Sequence, residues 1–231
     1  MRKKYIAIIP ARGGSKGVPK KNIKKFLGKP LIEHSINYAK ESKYIEKIIL
    51  TTDNEEIKKI GENNGITVVN RPKEISGDKA TTESAIEHVL SLFDFSINTT
   101  IILLQPTSPL RPKKSLDKMI KIFNKKLYDS MLTLSPIHPL TWKIDNEKTK
   151  CMYDFLNRPR RQDFDENNLI YDENGSVYIF TNKIFIEKNN RLGGKIGHYI
   201  FKEEYGKQID TLLDFELLET IGKYLKRIEN E

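Results

Sequence analysis

The sequence predicts an α/β fold: a mostly parallel sheet with helices on both faces. Three observations point there. Short runs rich in β-branched residues alternate with amphipathic stretches, the rhythm of strand–helix–strand units. The run Thr100–Leu104 (TIILL) is apolar beyond its threonine, as a strand buried on both faces must be. The first apolar run, Tyr5–Ile9, feeds directly into a basic loop with Gly13, Gly14 and Gly17.

Taken in order, Tyr5–Ile9 is too short for a helix and reads as a buried strand. The loop after it carries Arg12, Lys16, Lys20, Lys21 and, further on, Lys24. Glycines let backbone amides approach a ligand, and successive amides form a concave anion site to which the cations add charge. The spacing excludes a Walker loop (G-x-x-x-x-G-K-[ST]) and the dinucleotide fingerprint (G-x-G-x-x-G), so the loop reads either as a polyphosphate site of another kind or as a solvated basic loop. Pro30–Lys40 has helical spacing, with Leu31, Ile32, Ser35, Ile36 and Ala39 on one face. Ile45–Thr52 is a second strand. Asp53 and Asn54 can cap the helix Glu55–Asn63, and Ile66–Asn70 is a third strand. The polar stretch Arg71–Ser84 is a loop ending in a helix start at Thr81-Thr82, followed by the apolar stripe Ala85, Ile86, Val89, Leu90 and Phe93.

Thr100–Leu104 is the central strand by pattern. It runs into Gln105-Pro106-Thr107-Ser108-Pro109-Leu110-Arg111, and polar groups at the carboxyl end of a buried parallel strand are where open α/β sheets bind ligands. Arg111 reads equally as a site residue and as a structural one. A helix over Lys113–Lys126 and a strand over Asp129–Ser135 follow. From Pro136 to Asp172 the pattern degrades, in an excursion too long for a bare loop. Ser176–Phe180 and Gly197–Phe201 return to strand. Leu212–Ile228 is a terminal helix whose stripe Leu213, Leu217, Ile221 and Leu225 is expected in the core.

A length of 231 residues suits one domain, with 136–172 as an inserted extension. No apolar run approaches the ~20 residues of a bilayer span, and the basic start Met1-Arg2-Lys3-Lys4 lacks a cleavage-like site behind it. Cys151 is the single cysteine, which excludes an internal disulfide and fits the cytoplasm. The net charge of +9 is spread along the chain without a nucleic-acid motif. A basic pocket for an anionic ligand explains its sign equally well. His34, His88, His138 and His198 show no zinc spacing.

The segment Ala11–Asn22, ARGGSKGVPKKN, resembles the signature of the CMP-N-acylneuraminate synthetases, the cytidylyltransferases that activate sialic and related nonulosonic acids. The resemblance recurs in Leu103–Arg111 (LLQPTSPLR), in Asn174–Tyr178 (N-G-x-x-Y) and in Gln208–Asp214. It implies a Rossmann-like fold of the GT-A, nucleotide-diphospho-sugar transferase type. It also implies cytidylyl transfer from CTP to the anomeric hydroxyl of a nine-carbon α-keto sugar acid, with release of pyrophosphate. On this resemblance Arg12, Ser15, Lys16 and Lys21 hold the triphosphate, and Arg12, Lys21 and Asp210 are the catalytic residues. Asn22, Arg71, Ala80 and Thr82 position the cytidine. Gln105, Asn174 and Tyr178 line the sugar pocket, and Lys143 and Arg161 meet the sugar carboxylate, with Arg160 an alternative to Arg161. The stretch 136–172 corresponds to an extension exchanged with a second subunit, so a homodimer is implied. The region Arg191–Lys195 would read the sugar's substituents.

The family carries D-I-D-x-x-x-D, whose first two aspartates hold magnesium. Here Asp210 and Asp214 match, and Gln208 replaces the first carboxylate. Magnesium needs few carboxylates beside waters and phosphate oxygens. Asp210 is therefore the expected Mg²⁺ ligand, Gln208 adds a neutral oxygen or a water bridge, and Asp214 is structural. Asp210 also reads as the cap of the terminal helix. Three rival readings remain: a cytidylyltransferase for an eight-carbon (KDO-type) acid, a non-catalytic sugar-nucleotide-binding subunit, and a nucleic-acid-binding protein. No membrane association is expected.

Overall fold

The computed structural model describes residues 4–137, 140–160, 162, 164 and 169–228. Strand β1 (Tyr5–Pro10) has parallel neighbours on both sides. Two further short strands, β2 (Lys25–Phe26) and β3 (Lys29–Pro30), form a hairpin of their own. The neighbours of β1 are β4 (Lys47–Thr52) and β6 (Thr100–Leu104), and β5 (Thr67–Asn70) extends the sheet beyond β4, again in parallel. On the other side lie β7 (Ser130–Ile137), β10 (Ile170–Thr181) and β11 (Ile196–Ile200). The order is β11-β7-β10-β6-β1-β4-β5, so β6 is the middle strand, as its apolar run predicts.

The sheet is mostly parallel, but β10 runs antiparallel to both β6 and β7. It is also far longer than the predicted Ser176–Phe180. Its register shifts between Glu173 and Tyr178, around Asn174 and Gly175, and that bulge hides the strand's periodicity in the sequence. Within 136–172 the structure has a separate hairpin, β8 (Trp142–Asp145) and β9 (Lys148–Cys151).

Alternation along the strands supplies two cores. Ala7, Ile9, Leu50, Ile102 and Leu104 face one side. They pack against α1 (Leu31–Lys40), α2 (Glu55–Asn63) and α4 (Ser115–Lys126). Ile6, Ile8, Ile49, Ile101 and Leu103 face the other, under α3 (Thr82–Ser91) and α5 (Asn182–Lys188).

A third core places the carboxyl-terminal segment. Phe215, Leu218 and Leu225 of α6 (Leu212–Ile228) pack with Val18, Phe26, Leu31, Leu110 and Ile209. Each such side chain contributes about 1.5–3 kcal/mol on burial. The expected stripe on α6 is corrected here. Leu213 and Leu217 are 74% and 51% exposed, Ile221 is partly buried, and the inward face is Phe215, Leu218, Gly222 and Leu225. The helix is apolar on two faces, and spacing alone does not choose between them.

Candidate active site

Parallel sheets open a crevice where successive connections leave in opposite directions, and here that point lies between the carboxyl ends of β1 and β6. A cavity of about 390 Å³ sits there. Pro10, Arg12, Ser15, Lys16, Gly17, Lys21 and Asn22 line it from β1 and its loop. Arg71, Ala80, Thr81, Thr82 and Ala85 come from beyond β5, Gln105, Pro106 and Thr107 from the end of β6, and Asp210 from just before α6. Four cations thus face one carboxylate.

Ten residues expected in the site meet in this cavity: Arg12, Ser15, Lys16, Lys21, Asn22, Arg71, Ala80, Thr82, Gln105 and Asp210. Lys21 is the junction of the two chain segments. Its side chain is 12% exposed, its ammonium donates to the Ile209 carbonyl at 2.6 Å, and Asp210 Oδ1 lies 3.8 Å away. Burial lowers the Lys21 pKa, and Asp210 works in the opposite direction. Gly17 completes the join: a side chain on it would collide with the Asp210 carbonyl oxygen.

Arg71 is buried, donating to the Thr51 carbonyl at 2.6 Å and to its hydroxyl at 3.3 Å. Desolvation lowers its pKa to about 10, against the pull of Asp53. The Asn22 amide donates to the Arg12 carbonyl and so braces the loop. The amino end of α3 opens on the cavity, with Thr81 rather than Thr82 as its cap, accepting from the Ser84 N–H. Its dipole adds to the positive field.

Two carboxylates here take roles that the sequence does not signal: Asp53, expected as a helix cap, and Asp78. Asp53 accepts from the Gly13 N–H at 2.8 Å and fixes the loop, while Asn54 caps α2 by accepting from Ile57. Asp78 bridges the loop cations, 2.6 Å from Lys16 and 3.3 Å from Arg12, which hold its carboxyl below the usual range. Acidic residues in polar loops are too common for Asp78 to be singled out by pattern, and the position of Asp53 before a helix signals a cap rather than a loop brace.

The remaining expected residues lie elsewhere. Asn174 is buried and its side chain is committed. It accepts from the Thr133 hydroxyl at 2.6 Å and the Ser176 N–H at 3.1 Å, and it donates to Ser135 at 3.0 Å. Tyr178 donates to Glu173 and lies under the Arg191 guanidinium. Burial, reinforced by Glu173, pushes its pKa up. Arg191 also pairs with Glu83 in the first turn of α3, beside the cavity. Gln208 is not among the lining residues. Its Oε1 accepts from the Thr107 hydroxyl at 3.5 Å, and its amide packs with Gln105 against Gly175, where φ is +65° and a side chain would clash with both. Asp210 does not cap α6. Thr211 does, accepting from the Asp214 N–H at 3.2 Å, while Asp214 accepts from the Thr211 N–H at 2.7 Å. This reciprocal pair is a capping box and leaves the Asp210 carboxylate 74% exposed. Lys143 stands on the exposed β8–β9 hairpin, and Arg161 lies outside the described residues. Among the described residues no three His, Cys, Asp or Glu side chains cluster as for a metal ion. No helix among them is long and apolar enough to cross a membrane.

The sequence matches the family described as cytidylyltransferase over residues 6–230. An N-acylneuraminate cytidylyltransferase of Escherichia coli is 32% identical over 233 residues, 98% of this chain and 54% of the relative. N-acylneuraminate cytidylyltransferase A of Danio rerio is 35% identical over 222 residues, 92% of this chain and 49% of the relative. The chain thus spans about half the length of these curated relatives. Among solved structures, a CMP:2-keto-3-deoxy-manno-octonic acid synthetase complexed with CTP superposes with a TM-score of 0.70, covering 96% of this chain and 99% of that one. At 16% identity it shares the fold. The match over nearly the whole sequence is decisive: this chain belongs to the cytidylyltransferase family.

Proposed function

We propose that the chain transfers a cytidylyl group from CTP to the anomeric hydroxyl of a nonulosonic, sialic-acid-like sugar acid and releases pyrophosphate. The observation that carries the reading is the cavity at the β1/β6 crevice, lined by Arg12, Lys16, Lys21 and Arg71 together with the carboxylate of Asp210. Membership of the cytidylyltransferase family and the likeness to the N-acylneuraminate enzymes support the choice of nucleotide and sugar.

The reaction needs no covalent enzyme intermediate. The sugar oxygen bonds to the α-phosphorus as the bond to the bridging oxygen breaks; pyrophosphate leaves, and the hydroxyl proton passes to solvent. The protein's task is to align the two oxygens and to neutralise charge on the leaving group. Arg12, Lys16, Lys21 and Ser15 would hold the triphosphate. Arg71, Asn22, Ala80 and Thr82 would set the cytidine on the α3 side. Gln105 would meet the sugar, and Asn174 and Tyr178 would shape that end of the site from behind.

Asp210 fits as a magnesium ligand: it is an exposed carboxylate facing a cationic cavity, where phosphate oxygens and waters would complete the shell. Magnesium bound there supplies positive charge to the phosphate oxygens. Gln208, whose Oε1 accepts from Thr107 at 3.5 Å, would add at most a neutral oxygen or a water bridge.

The exposed apolar groups of the 136–172 stretch, Trp142, Ile144, Met152, Phe155 and Leu156, support a homodimer through this region. Lys143 and Arg161 would then serve the neighbouring subunit's site. A mass twice that of one chain by light scattering is expected, and a single-chain mass refutes the dimer. The lone cysteine supports a cytoplasmic setting.

Pyrophosphate release tests the main reading, with CTP, Mg²⁺ and a panel of N-acetylneuraminate, legionaminate, pseudaminate and KDO. Turnover with a nine-carbon acid is expected. Turnover with KDO alone moves the substrate to the eight-carbon class. CTP binding without turnover on any acid defeats the enzyme reading.

A further inference from the structure

A second cavity, of about 270 Å³, opens between α1 and α6. The Gln105–Arg111 loop divides the two: Gln105, Pro106 and Thr107 line the nucleotide cavity, and Pro109, Leu110 and Arg111 line this one. Its walls are apolar, built from Leu27, Leu110, Tyr38 and Leu225, and among the described residues Lys29, Lys113, Lys226 and the carboxylate of Glu41 stand around it.

Arg111 is the unusual group. It is 9% exposed, and its Nε is buried with no hydrogen-bond partner. Its other contacts go to neutral oxygens: Nη1 donates to Ser35 Oγ at 3.1 Å, and Nη2 to the carbonyls of Gln105 at 2.8 Å and Ser176 at 3.1 Å. The Tyr38 ring, 5.2 Å away, offsets part of the desolvation. A buried guanidinium bonded to neutral acceptors, beside a cavity with further cations, calls for an anion. The apolar walls call for a ligand with a hydrophobic body. The same guanidinium grips the carbonyl of Gln105, whose residue lines the nucleotide cavity, so a charge arriving beside it is felt on both sides of the loop.

We propose that the cavity between α1 and α6 binds a small organic anion, a carboxylate or phosphate on an apolar body, and that its occupancy is coupled to the nucleotide cavity through Arg111. The coupling rests on reading the first cavity as the CTP site; the binding does not.

Calorimetry on the intact chain tests this, with phenyl phosphate, benzoate and the neutral benzyl alcohol as probes. At least one anion is expected to bind in the millimolar range or tighter, with the alcohol on the order of tenfold weaker. The two anions separate a phosphate from a carboxylate preference. The surface double variant Lys29→Glu/Lys226→Glu should lose on the order of tenfold in anion affinity, and Lys21→Met should not. Saturating anion should then shift the CTP dissociation constant roughly fivefold or more, and CTP should shift the anion's by the same factor. Absence of anion binding, equal binding of the alcohol, or loss in Lys21→Met with retention in the double variant overturns the site. Unchanged CTP affinity overturns the coupling. If CTP binds neither with nor without the anion, the coupling and the nucleotide reading fall together, and the anion titration still decides the site.

Discussion

Gly17→Ala probes the join between the two ends of the site. A β-carbon at Gly17 would overlap the backbone carbonyl of Asp210, with the next contacts also on backbone atoms at 3.1 Å and 3.9 Å. Backbone does not rotate aside as a long side chain would. Gly17 is not among the positive-φ positions, so alanine is conformationally acceptable there and the penalty is steric. Relief requires the loop and the Asp210 segment to part by more than about 1 Å, and a misplacement of that size in a site built on alignment costs on the order of 10²-fold in rate. The assay is steady-state pyrophosphate release, with circular dichroism to show that the fold persists. Gly14→Ala is the matched control: a β-carbon there meets nothing within 4 Å, so activity should fall by no more than about threefold. Equal activity of the two variants would refute the claim that loop and Asp210 form one cage.

Three other predictions follow from the same geometry. Lys21→Met should lower kcat on the order of 10²-fold or more, as for removal of a charge clamp, and an unaffected rate would mean that the phosphates sit elsewhere. Asp78→Asn frees Lys16 and Arg12 from a competing carboxylate, so CTP should bind roughly two- to fivefold more tightly by calorimetry; weaker binding would make Asp78 a scaffold for the loop. Asp214→Ala removes the capping box of α6 and should cost about 1 kcal/mol at pH 7 by urea denaturation. The Asp214 pKa is depressed, chiefly by the Thr211 hydroxyl and N–H groups. Its contribution is therefore complete above the ordinary carboxylate range and lost as pH falls through the lowered value, so the difference from the parent should close at pH values well under that range. A gap that persists there would argue against the carboxylate as its source.

Apolar runs mark the strand ends and the basic glycine loop, while the roles of Asn22, Arg71, Ala80, Thr82 and Gln105 are legible only through the family resemblance of the motifs around them. Lys21 and Asp210 were each visible, but their meeting depends on the core of Val18, Phe26, Ile209 and Phe215, whose members are scattered along the chain. The acceptor of Lys21 is a backbone carbonyl, which no side-chain pattern reports. Asn174 was expected at the sugar because its motif is right; its amide is spent inside the β10 bulge, on Thr133 and Ser135 of the neighbouring strand. Register shifts of that kind leave no periodic trace. The inward face of α6 is ambiguous in the sequence because two apolar stripes compete on it, and Leu110 and Phe26 select one.

The bond from Lys21 to the Ile209 carbonyl spans 188 positions of sequence. Contacts of such separation form late, after the costly closure of most of the chain. A nascent polypeptide on the ribosome could thus assemble β1, β4, β5 and β6 long before Lys21 met the Ile209 carbonyl. On the proposed reading the cage is complete only when α6 packs on Val18 and Phe26, and a product truncated before Leu212 should keep much of the sheet while failing to bind CTP.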